Sequence, residues 1–422
     1  MKFVRSVAIY TFSNVFKNIL PFALLPLLTM HLSKADYGIT NLLIQTASIL
    51  APLSTLGAKF ANKKNFFKES PQSASSYFVA SLYIPLLTVP LIALLLYIAA
   101  PLIESRFHYP SQWLWAIPVY VLLRAFTQLT STYYQFLQKP AFYAILQNLS
   151  SALELSLAVF FVAFCHWQLA GRMYSLLYSS AFIVVLGFLL LYGQGYLAFF
   201  YDKKLSLQIV RNGIPILPLL FSRSLFTAAD VFLVSYWLGE DALGSYALAF
   251  RIASVAYILH SGVNLAWQPA VFKHLAKQDA GNIDMDKQKS KIVRKLLYSW
   301  LFFLMSSLGV ALIFSPLAFA WIVDPKFADA AHLVLPLSLA IALFSITENV
   351  SIFLVAHEKN AQNTRTLGIA LSTLCVLACI VLPKYGLQSM PYVLLTSHAL
   401  LFVVQLWLVQ KEHKLPFFDT FR

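Results

Sequence analysis

The sequence is poor in charged residues. Only 11% of its 422 residues are Asp, Glu, Lys or Arg, whereas a soluble globular protein has about 25%. A chain with so few charges cannot cover a water-facing surface. The composition therefore excludes a soluble enzyme and an intrinsically disordered protein.

Glycine and cysteine are also scarce. The 14 glycines against 19 prolines indicate long, kinked helices rather than a membrane barrel, whose strands alternate over about ten residues. The three cysteines, Cys165, Cys375 and Cys379, lie in apolar stretches, so we expect no disulfide scaffold. No CxxC or His-rich spacing is present, and we expect neither a metal site nor a cofactor.

Apolar residues are abundant, at 59% of the chain, and they form long runs. A transmembrane helix needs about 20 mostly apolar residues, and twelve segments meet this need. They are residues 6–30, 38–58, 75–100, 112–137, 141–165, 173–196, 212–237, 243–271, 296–322, 330–356, 366–383 and 389–410. The first segment continues past Met30 without a small-residue cleavage site, which favours a retained span over a cleaved signal peptide.

Basic residues are unevenly distributed among the predicted loops. The net charge of +14 is also seen in nucleic-acid-binding proteins, but here the loops explain it better. If both termini are cytoplasmic, 22 basic residues lie on the cytoplasmic side. The outer side has 5, which are Lys34, Arg106, Arg172, Lys326 and Lys384. The positive-inside rule therefore predicts twelve spans with both termini in the cytoplasm, and no nucleic-acid partner.

The predicted loops are short. The largest runs from about Lys273 to Lys295 on the cytoplasmic side, and no serine triad, paired-carboxylate site or Gly-rich phosphate loop is recognisable. A soluble catalytic domain has no room on either face, so we expect no enzyme activity.

Two hairpins in the sequence read alike. Leu32–Gly38 joins the first two predicted spans, and Leu238–Gly244 joins spans seven and eight at an offset of 206 residues. The same offset carries Arg5 onto Arg211 and Lys17 onto Arg223. Because six spans separate the copies, the repeats are parallel. This pattern predicts two six-helix lobes, residues 1–200 and 201–422, joined by a linker at about 195–211.

Several short motifs carry a resemblance to a known family. They are the hairpin at 32–38, Asp230 with the stretch 238–249, Ala266–Pro269 with Lys273, and His357–Asn360 with Pro383 and Gly386. Together they resemble O-antigen flippases of the Wzx type, within the multidrug/oligosaccharidyl-lipid/polysaccharide (MOP) superfamily that also holds lipid II flippases and MATE antiporters. The resemblance implies an all-α polytopic membrane protein, with twelve transmembrane helices in two six-helix lobes around a central cavity.

The resemblance also implies a function. Such proteins move an undecaprenyl-pyrophosphate-linked oligosaccharide to the periplasmic leaflet of the bacterial inner membrane. The expected partners are this lipid-linked substrate, membrane lipids and the polysaccharide polymerase machinery. Two alternatives stay open: a cation-coupled exporter of small molecules from the same superfamily, and a polytopic polysaccharide polymerase or ligase.

Seven ionisable residues fall inside the predicted spans. Each costs about 2.5–3.5 kcal/mol on insertion scales, so it faces a water-filled cavity or a partner. Cations suit a pyrophosphate head group because Arg grips phosphate oxygens in a bidentate manner. The candidate substrate-binding residues are Lys17, Arg124, Arg223 and Arg251, and the candidates for coupling to an ion gradient are Glu154, Asp230 and Glu348. A structural pair between Arg124 and Glu154, and snorkelling of Lys17 to the interface, stay open as alternatives.

Overall fold

The structure is a computed structural model. It describes residues 16–17, 19–59, 71–107, 109–197, 202–264, 267, 271, 285–356 and 359–413, with the backbone alone for 71–74, 285–289 and 413. Several predicted features lie outside the described residues. They are the start of the first span, most of the motif Ala266–Pro269, Lys273 and the loop after it, His357 with Glu358, and both chain ends.

The described residues fold into helices, as the composition predicts. The longer ones are α1 (Leu25–His31), α2 (Lys34–Thr55), α3 (Pro71–Ile98), α4 (Ala100–Phe107), α5 (Ala116–Phe136), α6 (Pro140–Ala158), α7 (Gln168–Gly193), α8 (Lys203–Gly213), α9 (Leu217–Ala253), α10 (Met285–Gly309), α11 (Ser315–Trp321), α12 (Val334–Ala356), α13 (Asn360–Tyr385) and α14 (Met390–His413). Short 3₁₀ turns lie at Ser111–Trp113, Ile214–Ile216, Pro325–Leu333 and Leu387–Ser389, and π-helical segments at Val159–Phe164 and Val310–Phe314.

Eight helical segments of the described residues are long and apolar enough to cross a membrane. Large apolar side chains such as Leu87 and Trp321 are exposed on them, as expected for lipid-facing surfaces. These observations confirm an all-α polytopic membrane protein. The exact number of twelve spans stays a prediction.

Helix boundaries follow local chemistry. Ser33 begins α2 with a capping box, in which its hydroxyl accepts from the Asp36 amide at 3.0 Å and the Asp36 carboxylate accepts from the Ser33 amide at 3.3 Å; such boxes satisfy amides left open at a helix start. Gln138, at φ 54°, separates α5 from α6. This confirms the break between the predicted spans 112–137 and 141–165.

The second hairpin of the sequence repeat is a helix break. Gly239 has φ 80° and ψ −175° inside α9, a conformation that costs glycine little and other residues much. The offset of 206 residues carries Ser33, the cap between α1 and α2, onto Gly239. The two copies of the repeat therefore break their helices at equivalent positions.

The chain forms two compact units, Met1–Gly244 and Ser245–Arg422, here called the N-terminal and C-terminal units. Within the N-terminal unit, the two repeat hairpins touch. A Cβ added at Gly38 would lie 2.5 Å from the Glu240 carbonyl oxygen, and one added at Gly244 would collide with the Lys34 carbonyl. Glycine is required at both positions because backbone meets backbone. The division into lobes 1–200 and 201–422 stays a prediction.

Candidate functional site

Lys17 begins a polar chain across three helices of the N-terminal unit. Its Nζ donates to Gln147 Oε1 at 2.6 Å, and Gln147 Nε2 donates to Ser131 Oγ at 2.8 Å. Gln147 lies on α6 and Ser131 on α5, where it is buried. The Gln147 side chain therefore positions Lys17, and Ser131 in turn positions Gln147.

Two more cations lie close to Lys17. The positive charges of Arg124 and Lys59 both act on it, and Arg124 is on α5, two turns before Ser131. The guanidinium carbon of Arg124 lies 5.5 Å from the ring centroid of Tyr120, a favourable cation–π arrangement. We call Lys17, Lys59 and Arg124 the cationic group. Lys59 follows the predicted span 38–58 directly and is not among the candidate residues named from the sequence.

Glu154 forms an ion pair with Arg172, not with Arg124. The Arg172 Nη2 to Glu154 Oε1 distance is 2.7 Å, and the side chains are 7% and 24% exposed. The sequence analysis counted Arg172 among the outer-loop residues, which is wrong: it lies in the second turn of α7 and is buried. Because α7 begins at Gln168 rather than at the predicted residue 173, Arg172 is carried into the helix bundle. Glu154 thus has a structural partner.

Arg223 and Asp230 lie on α9, seven residues apart, but in different surroundings. Arg223 is exposed, and its carbonyl accepts from the Thr227 hydroxyl at 3.1 Å. Asp230 is only 2% exposed, and its neighbours along the helix, Ala229 and Val231, are buried too. The shared offset of 206 residues further predicts that Lys17 and Arg223 lie on two walls of one anion-binding cavity, and this stays a prediction.

Glu348 lies in a network of polar side chains in the C-terminal unit. Its Oε2 accepts from the Tyr257 hydroxyl at 3.1 Å and from Asn264 Nδ2 at 3.2 Å. Asn264 also contacts Asn349, whose Oδ1 accepts from the Ser299 hydroxyl at 2.9 Å. The network joins α10 and α12 with the helix that carries Tyr257. Arg251 is half-buried in the same unit, at the end of α9.

His260 lies next to this network and has a structural role. Its Nδ1 is 2.7 Å from Ser345 Oγ, and its Nε2 is 2.9 Å from Ser306 Oγ. The ring is fully buried and packs on Phe303. These hydrogen bonds join the helix that carries His260 to α12 and α10, a common way for helices to pack in membranes.

Comparison with known proteins identifies a family of polysaccharide biosynthesis proteins. Residues 3–275 match the family model described as polysaccharide biosynthesis protein. The chain belongs to this family. No curated protein matches the chain in sequence.

Solved structures show the fold of this family member. A multidrug resistance MATE transporter of the MOP superfamily, in an inward-facing conformation, is 13% identical with a TM-score of 0.73, covering 96% of this chain and 94% of that one. The lipid II flippase MurJ, in an inward closed conformation, is 12% identical with a TM-score of 0.73, covering 97% and 87%. A Vibrio cholerae MATE transporter, VcmN, has a TM-score of 0.61 at 14% identity, covering 96% of each chain. These likenesses confirm the fold that the sequence resemblance implies.

Proposed function

We propose that this protein is a flippase for undecaprenyl-pyrophosphate-linked oligosaccharide repeat units, of O-antigen or a related polysaccharide. It moves them by alternating access from the cytoplasmic to the periplasmic leaflet of the bacterial inner membrane, with both of its termini cytoplasmic. It makes and breaks no covalent bond, and it hands its product to the polymerase machinery. The family match and the MOP fold support a transporter in polysaccharide assembly.

The observation that carries the substrate class is the cationic group. A pyrophosphate diester has two negative charges, and Lys17 lies within electrostatic reach of the positive charges of Arg124 and Lys59. Hydrogen bonds to charged groups contribute about 1.5–3 kcal/mol each, and Arg adds bidentate geometry. Because both cations repel Lys17 when no anion is bound, a bound pyrophosphate stabilises the arrangement. Arg223 and Arg251 are proposed as further contacts to the same substrate.

A deletion strain tests the function. We expect completed lipid-linked repeat units to accumulate with their glycan facing the cytoplasm, because no other step in the proposal moves the head group across the membrane. Labelling the glycan in intact spheroplasts and in inverted vesicles measures the leaflet. Unchanged periplasmic exposure would refute flipping, and unpolymerised units in the periplasmic leaflet would indicate a polymerase or ligase instead. If returning the gene to the deletion strain restores export of a small cationic dye and leaves the glycan's leaflet unchanged, the protein would be the small-molecule exporter.

We further propose that Glu348 couples transport to an ion gradient. A carboxylate inside a span that accepts hydrogen bonds from a tyrosine and an asparagine is able to exchange a proton or a monovalent cation between two states of the network. Among the other candidates, Glu154 is held by Arg172 and Asp230 is almost fully buried. Both are therefore worse placed to exchange an ion with water.

Replacing Glu348 with Gln is expected to remove the gradient dependence of transport. The amide oxygen still accepts from Tyr257, so the network and the fold are retained, but the charge is lost. Transport measured with a gradient is therefore expected to fall to the rate measured without one. Flipping in vesicles with and without an imposed proton or sodium gradient measures this, with Glu348→Asp as the charge-keeping control. A Gln variant with the full response to both gradients would exclude Glu348 from coupling.

A further inference from the structure

The predicted linker between the two lobes contains a helix that sequence reasoning did not predict, α8. Asp202 caps it, since its Oδ1 accepts from the Lys204 amide at 2.8 Å and the Leu205 amide at 3.2 Å. One face packs on α3: Ile209 is fully buried, and the Ser206 hydroxyl donates to the Ala80 carbonyl at 3.2 Å. These contacts fix the rotation of α8 about its own axis.

The opposite face of α8 combines cations with exposed apolar side chains. Leu207 is 67% exposed, and Ile214, in the 3₁₀ turn that follows, is 52% exposed. Lys203, Lys204 and Arg211 are exposed beside them. At 100° per residue these five positions fall within an arc of about 100°. The helix thus presents one amphipathic face, with an apolar centre and cationic flanks, away from the protein.

We propose that this face docks on anionic phospholipids of the adjacent leaflet. Leu207 and Ile214 insert among acyl chains near the head groups, and Lys203, Lys204 and Arg211 bind lipid phosphates. An interfacial helix of this kind gains from both apolar burial and attraction to anionic lipid. The Asp202 carboxylate, the acidic group at this end of the helix, is engaged in the cap and so opposes the attraction little.

The size and position of α8 favour lipid over an acidic protein partner. Eleven helical residues are about 16 Å long, far too small a surface for a specific protein interface of about 800 Å² per partner. The helix lies between α7 and α9 in the chain, and two segments there are long and apolar enough to cross a membrane: Gln168–Gly193, and the continuous segment Lys203–Ala253 that contains both α8 and α9. The proposal therefore places α8 near the bilayer boundary. Docking would anchor the linker that joins the two predicted lobes.

Spin labels on the full-length protein test the proposal. In a background with Cys165, Cys375 and Cys379 replaced by Ala, a label is attached through Leu207→Cys or through the matched control Asn212→Cys. Asn212 is also exposed but lies about 140° around the helix. Each protein is reconstituted into phosphatidylcholine vesicles with and without phosphatidylglycerol, and the collision rates with oxygen and with an aqueous nickel complex are compared.

With phosphatidylglycerol present, we expect the label at 207 to collide mainly with oxygen and the label at 212 to collide mainly with the nickel complex. The triple variant Lys203→Gln, Lys204→Gln, Arg211→Gln should lower the association constant for phosphatidylglycerol by about 100-fold, since each cation near an anionic surface contributes about fivefold. Should that variant fail to fold, raising the salt concentration on the unsubstituted protein is expected to weaken the same selectivity.

Two results would overturn the proposal. If the label at 207 responds equally in both lipid mixtures, the face has no preference for anionic lipid. If that label collides mainly with the nickel complex in every vesicle, the face lies in water, and a soluble acidic partner would be the better explanation. Neither result depends on transport, so both are separate from the test of flipping.

Discussion

Replacing Glu154 with Gln is expected to destabilise the N-terminal unit by about 3 kcal/mol. The change leaves Arg172, whose side chain is 7% exposed, buried without its counter-charge. Breaking a buried ion pair from one side costs about 3–5 kcal/mol, and we take the lower end because Glu154 is 24% exposed. Among the described residues, the buried Nε of Arg172 already has no hydrogen-bond partner. The Ser175 hydroxyl, which accepts from Arg172 Nη1 at 3.4 Å, is neutral and does not replace the lost counter-charge.

Thermal unfolding in detergent and membrane abundance by blot measure this effect. The double variant Glu154→Gln, Arg172→Gln should recover most of the lost stability, because neither charge is then left alone. Glu104, an exposed carboxylate that accepts from the Ser111 hydroxyl at 3.2 Å, is the matched control: Glu104→Gln should change stability by about 0.5 kcal/mol or less. Equal effects of Glu154→Gln and Glu104→Gln would show that the pair with Arg172 contributes little.

Hydrophobic runs and helix-breaking residues allowed most of the fold to be predicted. The separations at Gln138 and Gly239 both appear where the sequence places them, because turn residues act locally. The short helix α8 was not predicted, since its eleven residues include few apolar ones and resemble a polar linker. Its structure depends on contacts with α3, which lies more than a hundred residues earlier in the chain.

The partners of the charged residues could not be read from the sequence. Glu154 and Arg172 are close only because α6 and α7 pack side by side, and shifting the start of α7 by one turn would separate them. Likewise, the contact between Lys17 and Gln147 spans 130 residues. The pattern of apolar residues indicates that a charged residue lies in a membrane span. Which neighbouring helix its side chain contacts is decided by tertiary packing.

Loss of the cationic group is expected to abolish most export. Lys17→Ala and Arg124→Gln each remove a charged hydrogen bond to the proposed pyrophosphate, worth about 1.5–3 kcal/mol, which corresponds to about ten- to 100-fold in affinity. The combined variant should lose more than either alone. Surface polysaccharide in a deletion strain carrying each variant, normalised to the amount of protein in the membrane, measures the effect. Arg223→Ala belongs in the same series because of its repeat-related position.

The controls separate anion binding from packing. Lys17→Arg keeps the charge and the donor to Gln147, so it should retain most export, whereas Arg124→Lys should be weaker because bidentate geometry is lost. Lys384→Gln removes an exposed cation from the C-terminal unit and should leave export unchanged. If Lys17 and Arg124 only stabilise the fold, the alanine and glutamine variants would lower abundance and not export per molecule. Full export by the combined variant at normal abundance would remove the cationic group from the mechanism and, with it, the main support for a pyrophosphate-linked substrate.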